Sequence, residues 1–409
     1  MKKQVFLLAD IGFGEHNSFH VGDEAMFVCN LREHLKNGYN VVASSRSISY
    51  KSASFTEVID IYITTRWLLC WLLFCSILLR YFALNLFPKQ FGPTVKALSK
   101  SDLLHISGGG NINSFWPGHI YYRCLMIYLA SLFNIPIIMT SQTIGPINCR
   151  FHRRITGWAL NKVKFIGLRD NKFSKKYLKE AIVTKPLVSL MMDDASRMNA
   201  DNFIGNDWLN AVFKKTKDQI NIGLSLHTWQ NSPNPEWIAK SLIKISERYQ
   251  SAKFFAIPHL IDEEDGGDSG LIKKLFSKLS TKNFRSFGYN DIIKISKNNE
   301  SIPSLIYYLT SKMDIVISSR YHGLVFSSAL SVPAIAINYD EYYRAKNNGL
   351  LSVYYDKPFS VGPASDFLNI FSTVLLKRND IKKSLHRKNH ILRQERKYEL
   401  QELINKFVK

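Results

Sequence analysis

The sequence is short of acids and of the short signatures that mark common enzyme chemistries. Asp plus Glu total 33 against 54 Lys plus Arg, a net charge of +21. That imbalance favours an anionic partner: nucleic acid, anionic lipid or a phosphorylated substrate. No CxxC pair exists to hold zinc, and the five cysteines (29, 70, 75, 124 and 149) are odd in number. Buried free thiols in a reducing compartment fit this pattern. GxGxxG and GxxxxGK[ST] are absent, so neither a dinucleotide fingerprint nor a P-loop is supported. HExxH, GxSxG and a DxD acidic pair are missing as well, and metal-binding residues are not expected. No nucleic-acid-binding motif accompanies the charge, so a nucleic-acid partner is not expected.

What is there is ordinary globular composition, 46% hydrophobic and 21% charged, over 409 residues. This excludes a mostly disordered or collagen-like chain. Val5–Ala9 is too short for the apolar core of a signal peptide, and Asp10 breaks it, so a first strand and a cytoplasmic location are expected. QVFLLAD, YNVVASS, DLLHISGGG, IPIIMTSQTIGP and KFIGLRD read as strands ending in turn residues and separated by helical stretches. The pattern begins again with INIGLSLH, AKFFAIPHL, DIVISS and PAIAINYD. Such repetition predicts an α/β fold of two Rossmann-like domains with a cleft between them, 1–195 and 196–375, linked near Met191–Asn206. Residues 376–409 carry eleven Lys/Arg and four Asp/Glu. Leu385, Leu392, Leu400, Leu403, Ile404 and Phe407 predict a basic amphipathic C-terminal helix, docked on the body or drawn to anionic lipid.

The run at 67–87, WLLCWLLFCSILLRYFALNLF, holds a single charge, Arg80. Its length approaches a membrane span of roughly 20 residues. One crossing would put the flanking strands of a single sheet on opposite sides of the membrane, so an interfacial segment or a buried helix is expected instead. Trp67, Trp71, Arg66 and Arg80 suit an interface.

Several stretches carry candidate chemistry. Ser318-Ser319-Arg320-Tyr321-His322-Gly323 follows a strand and opens a helix, where dipole and free N–H groups favour anions. Arg320 can grip a phosphate or carboxylate at two points, and His322 can move a proton near neutrality. Gly22-Asp23-Glu24-Ala25 opens another helix. Asp23 either caps it or points a carboxylate at sugar hydroxyls. Gly108, Gly109, Gly110 and Asn111 follow a strand and make either a tight turn or an anion-holding loop. Gln142 lies in QTIGP at another strand end, and Arg169 is either an anion ligand or paired with Asp170. The acidic loop Asp262–Asp268 reads as solvated surface.

In their order GDEA, SGGGN, QTIGP, GLRDNKFS and SSRYHGLVFSSALSVPAIAI resemble the polysaccharide pyruvyl transferase family, over residues from about 4 to 350. The resemblance implies a GT-B-like arrangement, phosphoenolpyruvate as donor with no further cofactor, and a pyruvate ketal on a sugar as product. The family's Arg-hydrophobic-His block corresponds to Arg320 and His322, with Tyr321 in place of the more usual Leu. Arg169 corresponds to the Arg of its Arg-acid-x-x-Ser block, a second donor ligand. His227 stands where many members carry Arg. On this reading His322 is the acid/base, Arg320 and Arg169 hold the donor, and Asp23 with Gly108–Asn111 meets the acceptor. Gln142, Ser319, Tyr321, Gly323 and His227 line the substrate site. The acceptor is expected to be an oligosaccharide or lipid-linked glycan, met at the anionic inner face of the plasma membrane. A nucleotide-sugar glycosyltransferase and a non-catalytic scaffold of glycan assembly share the same fold class and stand as alternatives.

Overall fold

The computed structural model describes residues 2–12, 18–45, 55–59, 92–170, 172–227, 236–264, 267–277, 283–296 and 298–407. The expectation for the apolar run at 67–87 lies outside these residues. In chain order the strands of the first half are β1 (Gln4–Leu8), β2 (Phe19–His20), β3 (Asn40–Ser45), β4 (Thr56–Ile59), β5 (Leu103–Ile106), β6 (Gly109–Ile112), β7 (Ile137–Ile144), β8 (Phe165–Leu168) and β9 (Leu187–Leu190). Those of the second half are β10 (Ile220–Ser225), β11 (Ala252–Ala256), β12 (Leu260–Ile261), β13 (Phe284–Ser286), β14 (Ile315–Ser318), β15 (Ala334–Ile337) and β16 (Ser360–Val361).

The chain divides into two units. One comprises Met1–Phe13, Met26–Asp194 and Glu395–Lys409, the other Gly14–Ala25 and Ala195–Gln394. Two segments depart from the boundaries drawn on the sequence. Asp23 belongs with the second unit rather than the first, and the C-terminal helix is shared between the two rather than standing apart.

In the first unit side-chain alternation builds both faces of the sheet. Phe6 and Leu8 of β1 enter one core with the helices Gly92–Ser99, Pro117–Leu132 and Arg150–Leu160. Val5, one residue out of phase, enters another with Leu103, Ile138 and Phe165. All pairings are parallel, in the order β4-β3-β1-β5-β7-β8-β9 with β6 beside β7. From β1 the chain winds outward through β3 and β4. It then returns to β5 and winds the other way, so the order reverses between β1 and β5. That crevice is where open α/β sheets hold ligands, beyond the carboxyl ends of the strands.

The second unit repeats the design as β13-β11-β10-β14-β15-β16, again parallel, with the reversal between β10 and β14. Ile222 and Leu224 of β10 face a core shared with Ile315, Ile317, Ile335 and Ile337. A small antiparallel ribbon, unread from the sequence, pairs β12 with β2 through Leu260↔His20 and Ile261↔Phe19. It fixes residues 18–25 to this unit.

The final helix, Arg378–Phe407, buries Leu385 near its start and Leu403 and Ile404 near its end. The last two join the core of Val5, Leu103, Ile138 and Phe165. Leu392 is half-buried, and Leu400 lies where side chains are not described. Of the described cysteines, Cys29 and Cys124 are buried free thiols, and burial pushes the Cys124 thiol up to about 12. Cys149 is exposed, against the expectation of burial. Among the described residues no helix is long and apolar enough to cross a membrane.

Ile404→Ala removes a fully buried side chain from the core behind β1 and β5. Stability should fall by about 2–5 kcal/mol, as for other large aliphatic truncations. Denaturant melts of the full chain check this. An unchanged midpoint would mean that the helix end does not contribute to this core.

Candidate functional site

The carboxyl ends of β10 and β14 are closed by small hydroxyl residues, and these tie the reversal point together. The Ser319 N–H donates to the Ser225 carbonyl at 3.0 Å, and the Ser318 hydroxyl reaches the same oxygen at 3.1 Å. The chain then leaves β14 through Arg320, whose extended backbone is the N-cap of the helix Tyr321–Ala329. Gly323 lets that helix lie close to the sheet. A Cβ there would fall 2.3 Å from the Ser318 hydroxyl and 3.1 Å from the Ser225 Cβ. Its role is thus close packing, where the sequence suggested substrate contact.

Arg320 is met by a carboxylate from the helix Gly267–Phe276. Its Nε lies 3.0 and 3.1 Å from the two oxygens of Asp268, and its Nη2 lies 2.5 Å from Oδ1. Asp268 Oδ2 also accepts the backbone N–H groups of His259 and Leu260, each at 2.9 Å. The Asp268 residue is 2% exposed. It is therefore not solvated surface, as the acidic composition of 262–268 suggested. The bonds use one edge of the guanidinium and leave Nη1 on the other, with the Arg320 side chain 23% exposed. A guanidinium held along one edge is oriented to present its remaining edge to a second anion.

His322 occupies the first turn of the same helix. Gly22, the second residue of the helix Val21–Lys36, packs against its ring: a Cβ at 22 would fall 1.8 Å from Nδ1. Two stretches singled out from the sequence, GDEA and RYHG, therefore meet at one contact. Asp23 sits third in its helix, inside the first turn, so it does not occupy the capping position. There it favours the positive end of the helix.

Behind Arg320 lies a packed set of rings. The Ser319 hydroxyl serves both the His227 backbone N–H (3.0 Å) and its Nδ1 (2.8 Å), while His227 Nε2 lies 2.7 Å from the Tyr343 hydroxyl. The Tyr339 hydroxyl donates to the His227 carbonyl at 2.6 Å. Burial, then the charges of Arg320 and Lys346, hold the His227 imidazole well below its usual range. The Lys346 ammonium stands 5.1 Å above the Tyr321 ring. His259 shares its Nδ1 with the Ser225 hydroxyl at 2.8 Å. Burial brings His259 down to about 4, with Arg320 adding to that effect and Asp268 opposing it. Both histidines are accordingly neutral structural partners at neutral pH.

The reversal point of the first unit gathers a different cluster. Asp10, two residues beyond β1, accepts from the Asn111 amide and pairs with Arg123 at 3.0 Å, with His119 Nδ1 at 3.6 Å. Gly108 allows close approach, since a Cβ there would fall 2.3 Å from Met26 Sδ. Gly109 and Gly110 run into β6 rather than into an open anion loop. Gln142 is buried, with its amide on the carbonyls of Ser107 and Thr140. Arg169 is 2% exposed, its Nε on Thr143 Oγ1 at 2.8 Å and its Nη1 on Asp193 at 2.7 Å. Its partner is thus Asp193 and not Asp170, which instead binds the Ser174 N–H and hydroxyl.

The structure gathers Ser319, Arg320, Tyr321, His322, Gly323 and His227 in the second unit, with Gly22 of the Asp23 helix against His322. Gly108–Asn111, Gln142 and Arg169 lie in the first unit. Asp268, His259, Lys346, Asp10 and Arg123 were not singled out as site residues. Asp10 and His259 follow strand ends, a usable signal. Lys346 and Arg123 sit on helices among unremarkable neighbours and gave none.

Neutral burial of His259 makes stability depend on pH. Its folded value lies below its unfolded value near 6.5, so the unfolded chain takes up the proton first as pH falls. Stability is full above about 6.5 and declines toward 4, by about 3 kcal/mol at roughly 1.4 kcal/mol per unit. Melting temperatures at pH 7.5, 5.5 and 4.5 should fall in that order. His259→Asn, which retains a partner for Ser225, should flatten the slope. An equal slope in the variant would contradict the assignment.

Known proteins can be set beside this geometry. The profile of the polysaccharide pyruvyl transferase family matches residues 20–341. The sequence has no match among curated proteins. Anabaena Alr3699/HepE, solved in complex with UDP, superposes with a TM-score of 0.61 at 9% identity, covering 99% of this chain and 100% of that one. S. aureus MnaA, solved with UDP, gives 0.58 at 10% identity over 95% and 91%. UDP-GlcNAc 2-epimerase from Neisseria meningitidis, bound to UDP-GlcNAc, gives 0.55 at 13% over 94% of each chain. Identities this low speak for the fold alone, an α/β fold of the kind found in GT-B glycosyltransferases and epimerases. The family profile spans most of the chain and contains both Gly22 and the Arg320–His322 block, and on that ground the chain belongs to the polysaccharide pyruvyl transferase family, a family of transferases that modify polysaccharides.

Proposed function

We propose that the protein transfers the pyruvyl group of phosphoenolpyruvate to two hydroxyls of one sugar, forming a pyruvate ketal on a polysaccharide precursor. The observation that carries this reading is the oriented Arg320 beside His322 at a helix N-terminus, over the strand reversal of the second unit. Phosphoenolpyruvate bears a phosphate and a carboxylate. The free edge of Arg320 suits either, and the helix N-terminus favours the same charge.

The reaction balances with one acid/base group. His322 gives a proton to the methylene carbon, which becomes the methyl group. The first sugar hydroxyl adds to the central carbon and returns a proton to His322. The second hydroxyl then displaces phosphate, which leaves carrying that hydroxyl's proton. Two C–O bonds to sugar form and the C–O bond to phosphate breaks. Arg320 orients the donor and answers its charge. Gly22 leaves room for the imidazole, so the ring is held by packing. Arg169, buried on Asp193, supports the first unit in this scheme and does not act as a second donor ligand.

The acceptor in this reading is a lipid-linked glycan met at the cytoplasmic face of the membrane. The net charge of +21 supports this, since that leaflet is anionic, as does the composition of the 67–87 run.

Calorimetric titration with phosphoenolpyruvate, UDP-sugars and GDP-sugars tests the donor. Wild type should bind phosphoenolpyruvate saturably. Arg320→Ala should weaken it by about tenfold to a hundredfold, as for loss of a charge-assisted hydrogen bond worth about 1.5–3 kcal/mol. His322→Ala should bind the donor yet release no phosphate from it in the presence of acceptor. Binding of a nucleotide sugar alone would transfer the assignment to glycosyl transfer.

A further inference from the structure

The helix Tyr321–Ala329 carries the proposed donor site at its N-terminus. At its other end, still within the second unit, lies a cavity of about 780 Å³. Leu330 and Ser331 form one wall, and Lys382, Lys383, His386 and Arg387 of the final helix form the other. Its volume falls within the usual range for small-ligand pockets, roughly 300–1,000 Å³.

The cations there exceed what the fold uses. A helix C-terminus presents free carbonyls and a partial negative charge, which a basic neighbour can answer. Here other residues already do so. Asn389 donates to the Ser328 carbonyl at 2.8 Å and to the Ser331 hydroxyl at 3.1 Å, and Arg393 donates to the Ala329 carbonyl at 3.1 Å. These bonds, with buried Leu385, fix the helix while the four basic side chains of the cavity remain exposed. Residues 376–394 contain seven Lys/Arg and one acid, Asp380. Among the described residues Lys382, Lys383 and Arg387 enter no ion pair. Like charges gathered on this helix repel one another, and no acid among the described residues pairs with them.

We infer that this cavity binds a phosphate-bearing anion, either a soluble diphosphate or the phosphate headgroup of a lipid. Arg387 offers the planar fork suited to a phosphate, Lys382 and Lys383 supply point charges on adjacent positions, and the Ser331 hydroxyl can donate from the opposite wall. The site is distinct from the donor site, because the two lie at opposite ends of one helix. It stands whether or not phosphoenolpyruvate is the donor.

The full chain is titrated with inorganic pyrophosphate, and separately sedimented with vesicles of phosphatidylglycerol or phosphatidylcholine at fixed salt. The triple variant Lys382→Gln, Lys383→Gln, Arg387→Gln is run in parallel. Wild type should bind pyrophosphate, anionic vesicles or both, and phosphatidylcholine poorly. Binding of pyrophosphate alone supports a soluble ligand, and binding of anionic vesicles alone supports the headgroup. In the variant that binding should weaken on the order of a hundredfold, at about 1 kcal/mol per cation near an anionic surface. Its melting temperature and phosphoenolpyruvate titration should match wild type. Absence of both kinds of binding in wild type, or equal binding by the variant, would overturn the inference. A failed phosphoenolpyruvate titration would bear on the donor reading and leave this one intact.

Discussion

The buried carboxylate of Asp268 is the constraint on which the site in the second unit depends. One of its oxygens takes the N–H groups of His259 and Leu260, where β12 begins. Both oxygens meet Arg320. Strand β12 in turn pairs with β2, and the chain leaving β2 passes through Val21, whose N–H is held by the His259 carbonyl at 3.0 Å. The next residue is Gly22, against the ring of His322. One carboxylate therefore sets the guanidinium directly and, through a two-strand ribbon, sets the surface on which the imidazole rests. An acid kept out of water is costly unless its hydrogen bonds are complete. Asp268 meets that condition with two backbone donors and one guanidinium.

The two units solve the same topological problem with different chemistry. Each reverses its strand order once and places polar residues just beyond that reversal. In the first unit Asp10 collects Asn111, Arg123 and His119, a cluster built around an acid. In the second, Arg320 and Lys346 outnumber Asp268, and burial, with their charge adding to it, keeps His227 neutral. A cluster centred on a carboxylate suits hydroxyls, and one with excess cations suits an anion. The proposed donor site in the second unit accords with that excess of cations.

Much of this was legible in the sequence because periodicity and punctuation agreed. The strands QVFLL, INIGLS and IVIS could be read from apolar runs ending in small polar residues, and the Arg320–His322 block from its place between strand and helix. The ribbon of β2 with β12 was not legible. Two strands of two residues, far apart in sequence, carry no period. Asp268 was misjudged for a related reason: five acids within seven residues look solvated, and only tertiary contact buries Asp268. Arg169 shows the converse. Its place after a strand matched a ligand-binding position, yet burial against Asp193 gives it a structural duty. Gly323 looked like a ligand glycine, whereas the structure needs it, like Gly22, for close packing of a helix.

The most direct test of this account is a crystal structure of the protein with phosphoenolpyruvate. The account predicts the donor at the carboxyl ends of β10 and β14, with phosphate or carboxylate oxygens on the outer edge of Arg320. The Asp268–Arg320 pair should remain intact, and the methylene carbon should lie on the His322 side. Donor bound away from Arg320, or an Arg320 that abandons Asp268 to reach it, would contradict the claim that the buried carboxylate presets the site.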